Sequence, residues 1–187
     1  METSTNTQTI KLKSILLVED DPRDVELTLA ALEEHHLANK VAVVGNGAEA
    51  LDYLYRRGEF KTRARGNPIL VLLDLKTPKV NGLEVLKIVK SDEYLKIIPV
   101  VVLSSSRETP DLVQCYKHGV NAYVVKPVDF SEFMKAVKHL GVFWAAINEP
   151  PPYTGMEETS IQSGEVISPG KKKVADEIPA PHLALGG

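Results

Sequence analysis

Polar side chains that could carry phosphoryl chemistry stand directly after four runs of aliphatic residues. They are Glu19 and Asp20 after the first run, then Asp74, Ser104 and Lys126 after the others. Carboxylates that lie together repel one another unless they share a cation, and hard oxygen ligands suit Mg²⁺. A lysine and a hydroxyl beside such a cation are groups that bind phosphate. Since a carboxylate can act as a nucleophile, Asp74 is the candidate to form an aspartyl phosphate.

Each of these residues, taken alone, has a common structural explanation. Acidic residues before a helix usually stabilise the helix dipole. A serine that ends a strand is usually a turn or cap residue, and a lysine followed by proline is usually a solvated turn. Their joint occurrence at successive strand ends favours one shared site.

The segments that must position these side chains read as buried strands. Short aliphatic runs, typical of strands in a parallel sheet, occur at residues 15–18, 41–44, 69–73, 99–103 and 122–125. Apolar residues at helical spacing predict a helix after each strand, with start signals at Asp21-Pro22, Thr109-Pro110 and Asp129 with Glu132. This alternation predicts an α/β fold with a parallel sheet covered on both faces. Because ligands bind beyond the carboxyl ends of such strands, the polar residues are expected to meet at one edge.

Composition limits the class of protein. The 187 residues are 43% hydrophobic and 25% charged, with a formal net charge of −3, which is ordinary for one globular domain. The basic run Lys171-Lys172-Lys173 does not indicate a nucleic-acid-binding surface, and no apolar run is long enough to cross a bilayer. Residues 1–8 lack the apolar centre of a signal peptide, and the single Cys115 fits a reducing compartment. We therefore expect a cytoplasmic protein without nucleic-acid or membrane partners.

The pattern of apolar residues also predicts the domain boundaries. Residues 1–11 read as an N-terminal extension and residues 12–147 as the folded domain. The remainder, residues 148–187, is rich in proline, glycine, serine and charge and lacks apolar periodicity. We predict that this segment is a disordered tail.

The motifs at these strand ends resemble the receiver domain of response regulators in two-component signalling. The residues that carry the resemblance are Val18-Glu19-Asp20, Leu72-Leu73-Asp74, Pro78, Gly82, Ser104 and Tyr123-Val124-Val125-Lys126-Pro127. The resemblance spans residues 12 to about 146. It implies a flavodoxin-like (βα)5 doubly wound sandwich with a five-stranded parallel sheet in the order 2-1-3-4-5.

The resemblance also implies how the acidic residues act. Asp74 would be the phosphoacceptor for a histidine kinase, with Mg²⁺ as the cofactor. Asp20 and Asp74 would bind Mg²⁺ directly, Glu19 would act through a water, and the main-chain carbonyl of Lys76 would be a further ligand.

Two further roles follow from the same resemblance. Ser104 and Lys126 would hold the phosphoryl oxygens, and Ser104 with Tyr123 would form the switch. The switch would alter the surface made by the fourth helix, the fifth strand and the fifth helix. A cis peptide would join Lys126 to Pro127, which is plausible because cis bonds are accessible chiefly before proline.

Several features resemble a subgroup of single-domain regulators paired with cyanobacterial-type phytochrome kinases. The loop from Arg56 to Asn67 is longer than in a minimal receiver, and the residues at the end of the domain, Val142-Phe143-Trp144, resemble those of that subgroup. Because no output domain follows, the expected output is protein binding or a change in dimerisation. Phe143 and Trp144 either pack on the first helix or form an isologous dimer surface.

Two other functions remain as alternatives to a phosphorylated switch. A phosphatase of the haloacid dehalogenase type also uses an aspartate at a strand end, but it needs a second acid two residues later, where this chain has Lys76. A pseudo-receiver would be a binding module that works without phosphorylation. The complete set of acidic, hydroxyl and lysine groups argues against it. We therefore expect a signalling switch rather than an enzyme.

Overall fold

The computed structural model of the chain describes residues 14–33, 36–37, 41–126 and 129–149. The predicted N-terminal extension, nearly all of the predicted tail and the predicted cis peptide at Pro127 lie outside the described residues. So do residues 34–35, where the sequence predicts the end of the first helix.

The sheet has the predicted topology. Its five strands are β1 (Ile15–Val18), β2 (Val41–Val44), β3 (Leu70–Leu73), β4 (Val100–Ser104) and β5 (Ala122–Val125). All neighbouring strands are parallel, and their order is β2-β1-β3-β4-β5. The strand order places β1 and β3 side by side at the centre of the sheet. The predicted flavodoxin-like (βα)5 fold is therefore confirmed.

A helix follows each strand. The five are α1 (Pro22–Glu33), α2 (Gly47–Tyr55), α3 (Gly82–Ser91), α4 (Thr109–Lys117) and α5 (Phe130–Val142). The chain continues from α5 into a wider helical turn, Phe143–Ile147, and a 3-10 helix, Gly58–Thr62, lies in the long loop after α2. No helix among the described residues has the length and apolar character needed to cross a membrane.

Side-chain alternation along each strand divides the core into two layers. Leu16 and Val18 of β1 pack into the layer that holds α2, α3 and α4. Ile15 and Leu17 point to the other face and pack into the layer that holds α1 and α5. The central strands β1, β3 and β4 are buried throughout, whereas the edge strands β2 and β5 are partly exposed because each has one neighbour.

Of the predicted helix caps, Asp129 is confirmed and Thr109 is not, while Asn46 is a cap that the sequence indicated only as part of a turn. The Asp129 side chain accepts a hydrogen bond from the backbone N–H of Glu132, and Asn46 caps α2 in the same way. The prediction of Thr109 as a cap was wrong. Glu108 holds that position without a side-chain hydrogen bond, and Thr109 is already the first residue of α4. The extended backbone that a cap requires begins one residue earlier than the Thr-Pro pair indicates.

The two aromatic residues at the end of α5 have different environments. Trp144 is partly buried against the core layer that contains Leu32 of α1, as the first of the two alternatives predicted. Phe143 is 46% exposed and meets the Trp144 ring edge-on.

Candidate functional site

The backbone brings the polar residues to one edge of the sheet. The N–H of Asp74 donates to the carbonyl of Val18, and the N–H of Glu19 donates to the carbonyl of Val44, both at 3.0 Å. At the ends of β4 and β5 the N–H of Lys126 donates to the carbonyl of Ser104 at 2.7 Å. These bonds continue the parallel ladders past the strand ends, so the strand ladders themselves hold the site in place.

The loop between β3 and α3 packs tightly against the site because two glycines lack a side chain. A Cβ at Gly82 would lie 2.2 Å from the carbonyl oxygen of Asp74, and a Cβ at Gly47 would lie 2.1 Å from that of Val80. Neither position tolerates a larger residue without displacing the backbone. Thr77, buried in this loop, donates its hydroxyl to the same Val80 carbonyl at 3.0 Å.

Three carboxylates converge at this edge and form a candidate metal site. Oxygen atoms of Glu19, Asp20 and Asp74 all lie within 4.8 Å of one another. Glu19 and Asp74 are buried, whereas Asp20 is exposed. Buried carboxylates at this spacing repel, and an all-oxygen set with an open side fits a hard divalent cation that keeps some of its waters.

The protonation behaviour of the two buried carboxyls agrees with this crowding. Burial raises the pKa of Asp74, and the charge of Lys126 with the N–H groups of Lys76 and Leu75 lowers it only in part. Burial also raises the pKa of Glu19, against the opposing effect of Lys126. A divalent cation at this position would favour the ionised form of both groups.

Lys126 reaches into the site from the end of β5. Its Nζ contacts Glu19 Oε2 at 2.6 Å and Asp24 Oδ2 at 2.5 Å, and it lies 3.7 Å from Asp74 Oδ2. The side chain is 12% exposed. Burial opposes the charge, but the bonds to Asp24 and Glu19 outweigh it and raise the pKa of Lys126. The lysine is therefore held as a cation beside the predicted phosphoacceptor.

Ser104 and Tyr123 are connected through Ser106. The Ser104 Oγ, fully buried, accepts a hydrogen bond from the backbone N–H of Ser106 at 3.1 Å. The Tyr123 hydroxyl donates to the carbonyl of Ser106 at 3.0 Å, and the Ser106 hydroxyl donates to Asp111 of α4 at 2.7 Å. The two residues predicted as the switch thus share a partner that also reaches the start of α4.

The structure therefore brings four of the predicted side chains into one cluster. They are Glu19, Asp20, Asp74 and Lys126. Ser104 lies at the end of β4, where its carbonyl accepts the N–H of Lys126, and it is connected through Ser106 to Tyr123. The predicted metal role of the Lys76 carbonyl stays a prediction, while its backbone N–H serves the Asp74 carboxylate.

Sequence reasoning missed Asp24 and Ser106. A signal existed for each. Asp24 stands in the first turn of the helix that begins beside the acidic pair, and Ser106 ends the serine run that begins at Ser104.

Comparison with known proteins identifies the family. The family model of the response regulator receiver domain matches residues 15–138. Response regulator Rcp1 of Synechocystis sp. is 36% identical over 132 residues, covering 71% of this chain and 88% of that protein. A crystal structure of Rcp1 in an Mn²⁺-bound form is 35% identical, with a TM-score of 0.69 over 74% of this chain and 99% of that one.

Two further solved structures are similar. The phosphorylated cyanobacterial phytochrome response regulator RcpA is 41% identical, with a TM-score of 0.70 over 74% of this chain and 98% of that chain. The bacteriophytochrome response regulator RtBRR is 62% identical, with a TM-score of 0.61 over 75% of this chain and 84% of that chain. The chain is thus similar to regulators of the phytochrome-type group, as the loop length and the end of α5 predicted.

Proposed function

Because this chain belongs to the response regulator receiver family, we propose that Asp74 accepts a phosphoryl group from a sensor histidine kinase. The observation that carries the proposal is the convergence on Asp74. Two further carboxylates lie within 4.8 Å of it, and a lysine ammonium lies 3.7 Å away. Receiver domains are signalling modules, so the phosphoryl group changes a binding surface.

The transfer itself needs a nucleophile and charge neutralisation. An oxygen of the Asp74 carboxylate attacks the phosphorus of a phosphohistidine. A P–O bond forms as the P–N bond breaks, and the imidazole of the kinase leaves. Lys126 is close enough to offset the charge that gathers on the phosphoryl oxygens. Gly82 packs so closely on the Asp74 carbonyl that a side chain at this position would displace the backbone that carries the nucleophile.

Glu19, Asp20 and Asp74 fit a divalent cation, and we propose Mg²⁺ as that cation, with the main-chain carbonyl of Lys76 as a further ligand. When bound, the cation would neutralise the carboxylates and reduce the electrostatic repulsion between the attacking carboxylate and the phosphoryl oxygens. The Mn²⁺-bound form of Rcp1 supports a divalent metal at this kind of site.

The proposed switch runs from Ser104 to α4. A phosphoryl oxygen on Asp74 offers the Ser104 hydroxyl a charged acceptor, which would draw the segment from Ser104 to Ser106 toward the site. Ser106 holds both the Tyr123 hydroxyl and Asp111, so its movement would alter β5 and α4 together. This is a shift in population driven by one new charge.

The proposed partner is a phytochrome-type kinase. Support comes from the phytochrome response regulators RcpA and RtBRR, which are 41% and 62% identical to this chain. We further propose that phosphorylation changes partner binding or dimerisation through α4, β5 and α5. The donor kinase uses ATP, so the proposal places the receiver, residues 12–147, in the cytoplasm. The roles of residues 1–11 and 148–187 stay predictions.

The test is phosphorylation by acetyl phosphate, with and without Mg²⁺, read on a phosphate-retarding gel. Wild type is expected to shift when Mg²⁺ is present, and Asp74→Asn is expected not to shift. Asp52→Asn is a matched control because Asp52 is a half-exposed carboxylate on α2 that pairs with Arg57 and not with the residues of the site. The same samples on a sizing column show whether phosphorylation drives dimerisation.

The pseudo-receiver is the alternative that this test addresses. A wild-type protein that stays unshifted with acetyl phosphate, and also with a phytochrome-type kinase and ATP, would make the pseudo-receiver the better account.

A further inference from the structure

The ammonium of Lys126 is held by carboxylates other than the proposed phosphoacceptor. Its Nζ lies 2.5 Å from Asp24 Oδ2 and 2.6 Å from Glu19 Oε2, both within hydrogen-bond range. The distance to Asp74 Oδ2 is 3.7 Å, which is an ion-pair distance but too long for a hydrogen bond. The strongest contacts of this lysine therefore compete with the role proposed for it at Asp74.

Asp24 differs from Glu19 in one respect that matters for this competition. The cluster that fits a cation consists, among the described residues, of Glu19, Asp20 and Asp74, and Asp24 lies outside it. A cation would share Glu19 with Lys126 but would leave Asp24 to the lysine. The Asp24 contact is thus the one that persists when the metal site fills.

The position of Asp24 stabilises its ion pair with Lys126. Asp24 lies in the first turn of α1, and the neighbouring Val25 packs in the same core layer as Val124 of β5. The Asp24 side chain is 31% exposed and that of Lys126 is 12% exposed. Solvent and salt screen such a pair less than they screen a surface pair.

We propose that Asp24 is a positioning residue that holds Lys126 away from Asp74 until the phosphoryl group arrives. The inference rests on the proposed phosphorylation of Asp74. The ammonium must move toward Asp74 to bond phosphoryl oxygens there, and its hydrogen bond to Asp24 opposes that movement. Asp24 therefore favours the unphosphorylated arrangement and sets how readily the switch changes state.

The test compares the affinity of the variants for beryllofluoride, a phosphoryl mimic, with Mg²⁺ in excess and bound fluoride followed by ¹⁹F NMR. Asp24→Asn removes the competing charge and is expected to bind beryllofluoride about fivefold more tightly than wild type. Asp24→Glu keeps a carboxylate near Lys126. Its affinity for beryllofluoride is expected to lie within about twofold of wild type, because the negative charge beside the lysine is retained. Asp24→Ser is a second neutral variant that a first helical turn accommodates, and it is also expected to bind beryllofluoride more tightly than wild type.

Glu26→Gln is the matched control, because Glu26 is an exposed carboxylate on the same helix and the change in net charge is the same. It is expected to bind like wild type. A merely structural role for Asp24 would weaken binding, so the sign of the change separates the two explanations.

The outcomes are distinct. Binding by wild type with equal or weaker binding by both Asp24→Asn and Asp24→Ser overturns the role of Asp24 and leaves the phosphoacceptor proposal intact. Tighter binding by Glu26→Gln as well would assign the effect to net charge and would also overturn it. No beryllofluoride binding and no phosphorylation of wild type overturns both proposals.

Discussion

Asp74 combines properties that reduce stability with properties that favour reaction. The carboxylate is buried beside Glu19, and burial raises the pKa of both groups. A raised pKa in the folded state means that the charged form is less favourable there than in the unfolded chain. The same unfavourable charge attracts a divalent cation, so the residues that weaken the metal-free protein are those that would bind the metal.

Replacement of Asp74 by asparagine is therefore expected to stabilise the metal-free protein. The stability linked to a raised carboxyl pKa is present at acid pH and is lost as pH rises through that pKa. At neutral pH the ionised Asp74 is the unfavourable form, and Asp74→Asn should raise the free energy of unfolding by about 1 kcal/mol. Thermal unfolding in the presence of a chelator measures this change.

The comparison has two controls. Acidification should reduce the difference between wild type and Asp74→Asn, because wild type then becomes neutral at the same position. Mg²⁺ should stabilise wild type and Asp52→Asn but not Asp74→Asn. A metal-free Asp74→Asn protein that is clearly less stable than wild type would contradict this account of the site.

Residue types and their order were enough to predict that Glu19, Asp20, Asp74 and Lys126 lie together at one edge of the sheet, while their roles and that of Ser104 stay predictions. The position of Asp24 in the first turn of α1 indicated that it lies near the acidic pair, but its contact with Lys126 was not predictable, because that contact depends on side-chain reach. A sequence pattern places a residue at a strand end or in a helical turn. It does not say which of several nearby carboxylates a flexible lysine will contact.

At the scale of elements, Ser106 connects the end of β4 with two of its neighbours. Its carbonyl accepts a hydrogen bond from the Tyr123 hydroxyl of β5, and its own hydroxyl donates to Asp111 at 2.7 Å. The same hydroxyl accepts the N–H of Glu108 at 3.3 Å. Since Glu108 occupies the N-cap of α4 without a side-chain bond of its own, Ser106 supplies the polar contact at that helix start.

Removal of the Ser106 hydroxyl is expected to loosen α4 locally. Ser106→Ala leaves a partly buried Asp111 carboxylate and the Glu108 N–H without this partner, which should reduce the free energy of unfolding by about 1 kcal/mol. Hydrogen exchange at the first turn of α4 should accelerate more than exchange in α2.

Ser105→Ala is the matched control for that experiment. Ser105 is the neighbouring serine and is exposed, so its removal should change neither stability nor exchange in α4. Equal exchange rates in the two variants would contradict the role given to Ser106.

Strands and helices were predictable to within a residue or two at most boundaries because the hydrophobic pattern follows burial. β1, β2 and β5 have the predicted bounds. The 3-10 helix at Gly58–Thr62 was expected to be a loop. It buries no residue completely, so no apolar periodicity marks it. The loop is organised instead by Arg63, which donates to the carbonyl of Tyr53 at 2.7 Å and stacks on its ring.

At the scale of the whole molecule, the edge of the sheet opposite the site has its own polar anchor. Lys90 at the end of α3 donates to the carbonyl of Ile98 at 2.7 Å and to the side-chain oxygen of Asn121 at 2.9 Å. Asn121 in turn accepts the N–H of Val100 at 2.9 Å. One lysine therefore ties α3 to the starts of β4 and β5, far along the strands from Asp74.

Burial lowers the pKa of Lys90 from 10.5 to about 8. Between these two values the unfolded chain binds a proton that the folded protein has lost, so this group makes stability rise with pH across that window. Relative to Lys90→Met, wild type should gain about 1 kcal/mol of unfolding free energy between the two pH values, after allowance for partial exposure. Urea titrations at several pH values measure the difference.

Lys87→Met is the control for this pH dependence. Lys87 lies on the same helix and is exposed, so its removal should shift stability equally at each pH. A difference between wild type and Lys90→Met that stays constant from neutral to alkaline pH would contradict the burial of the Lys90 charge.

The central claim is that the phosphoryl group is carried by the Asp74 carboxylate. Chemical identification of the phosphorylated residue tests this claim most directly. The protein is phosphorylated with Mg²⁺ and acetyl phosphate, treated with borohydride, which reduces an acyl phosphate to an alcohol, and digested for mass spectrometry. The account predicts that the reduced residue is Asp74, with none at Glu19, Asp20 or Asp24. Reduction at another carboxylate, or recovery of Asp74 unmodified from protein that carries phosphate, would contradict it.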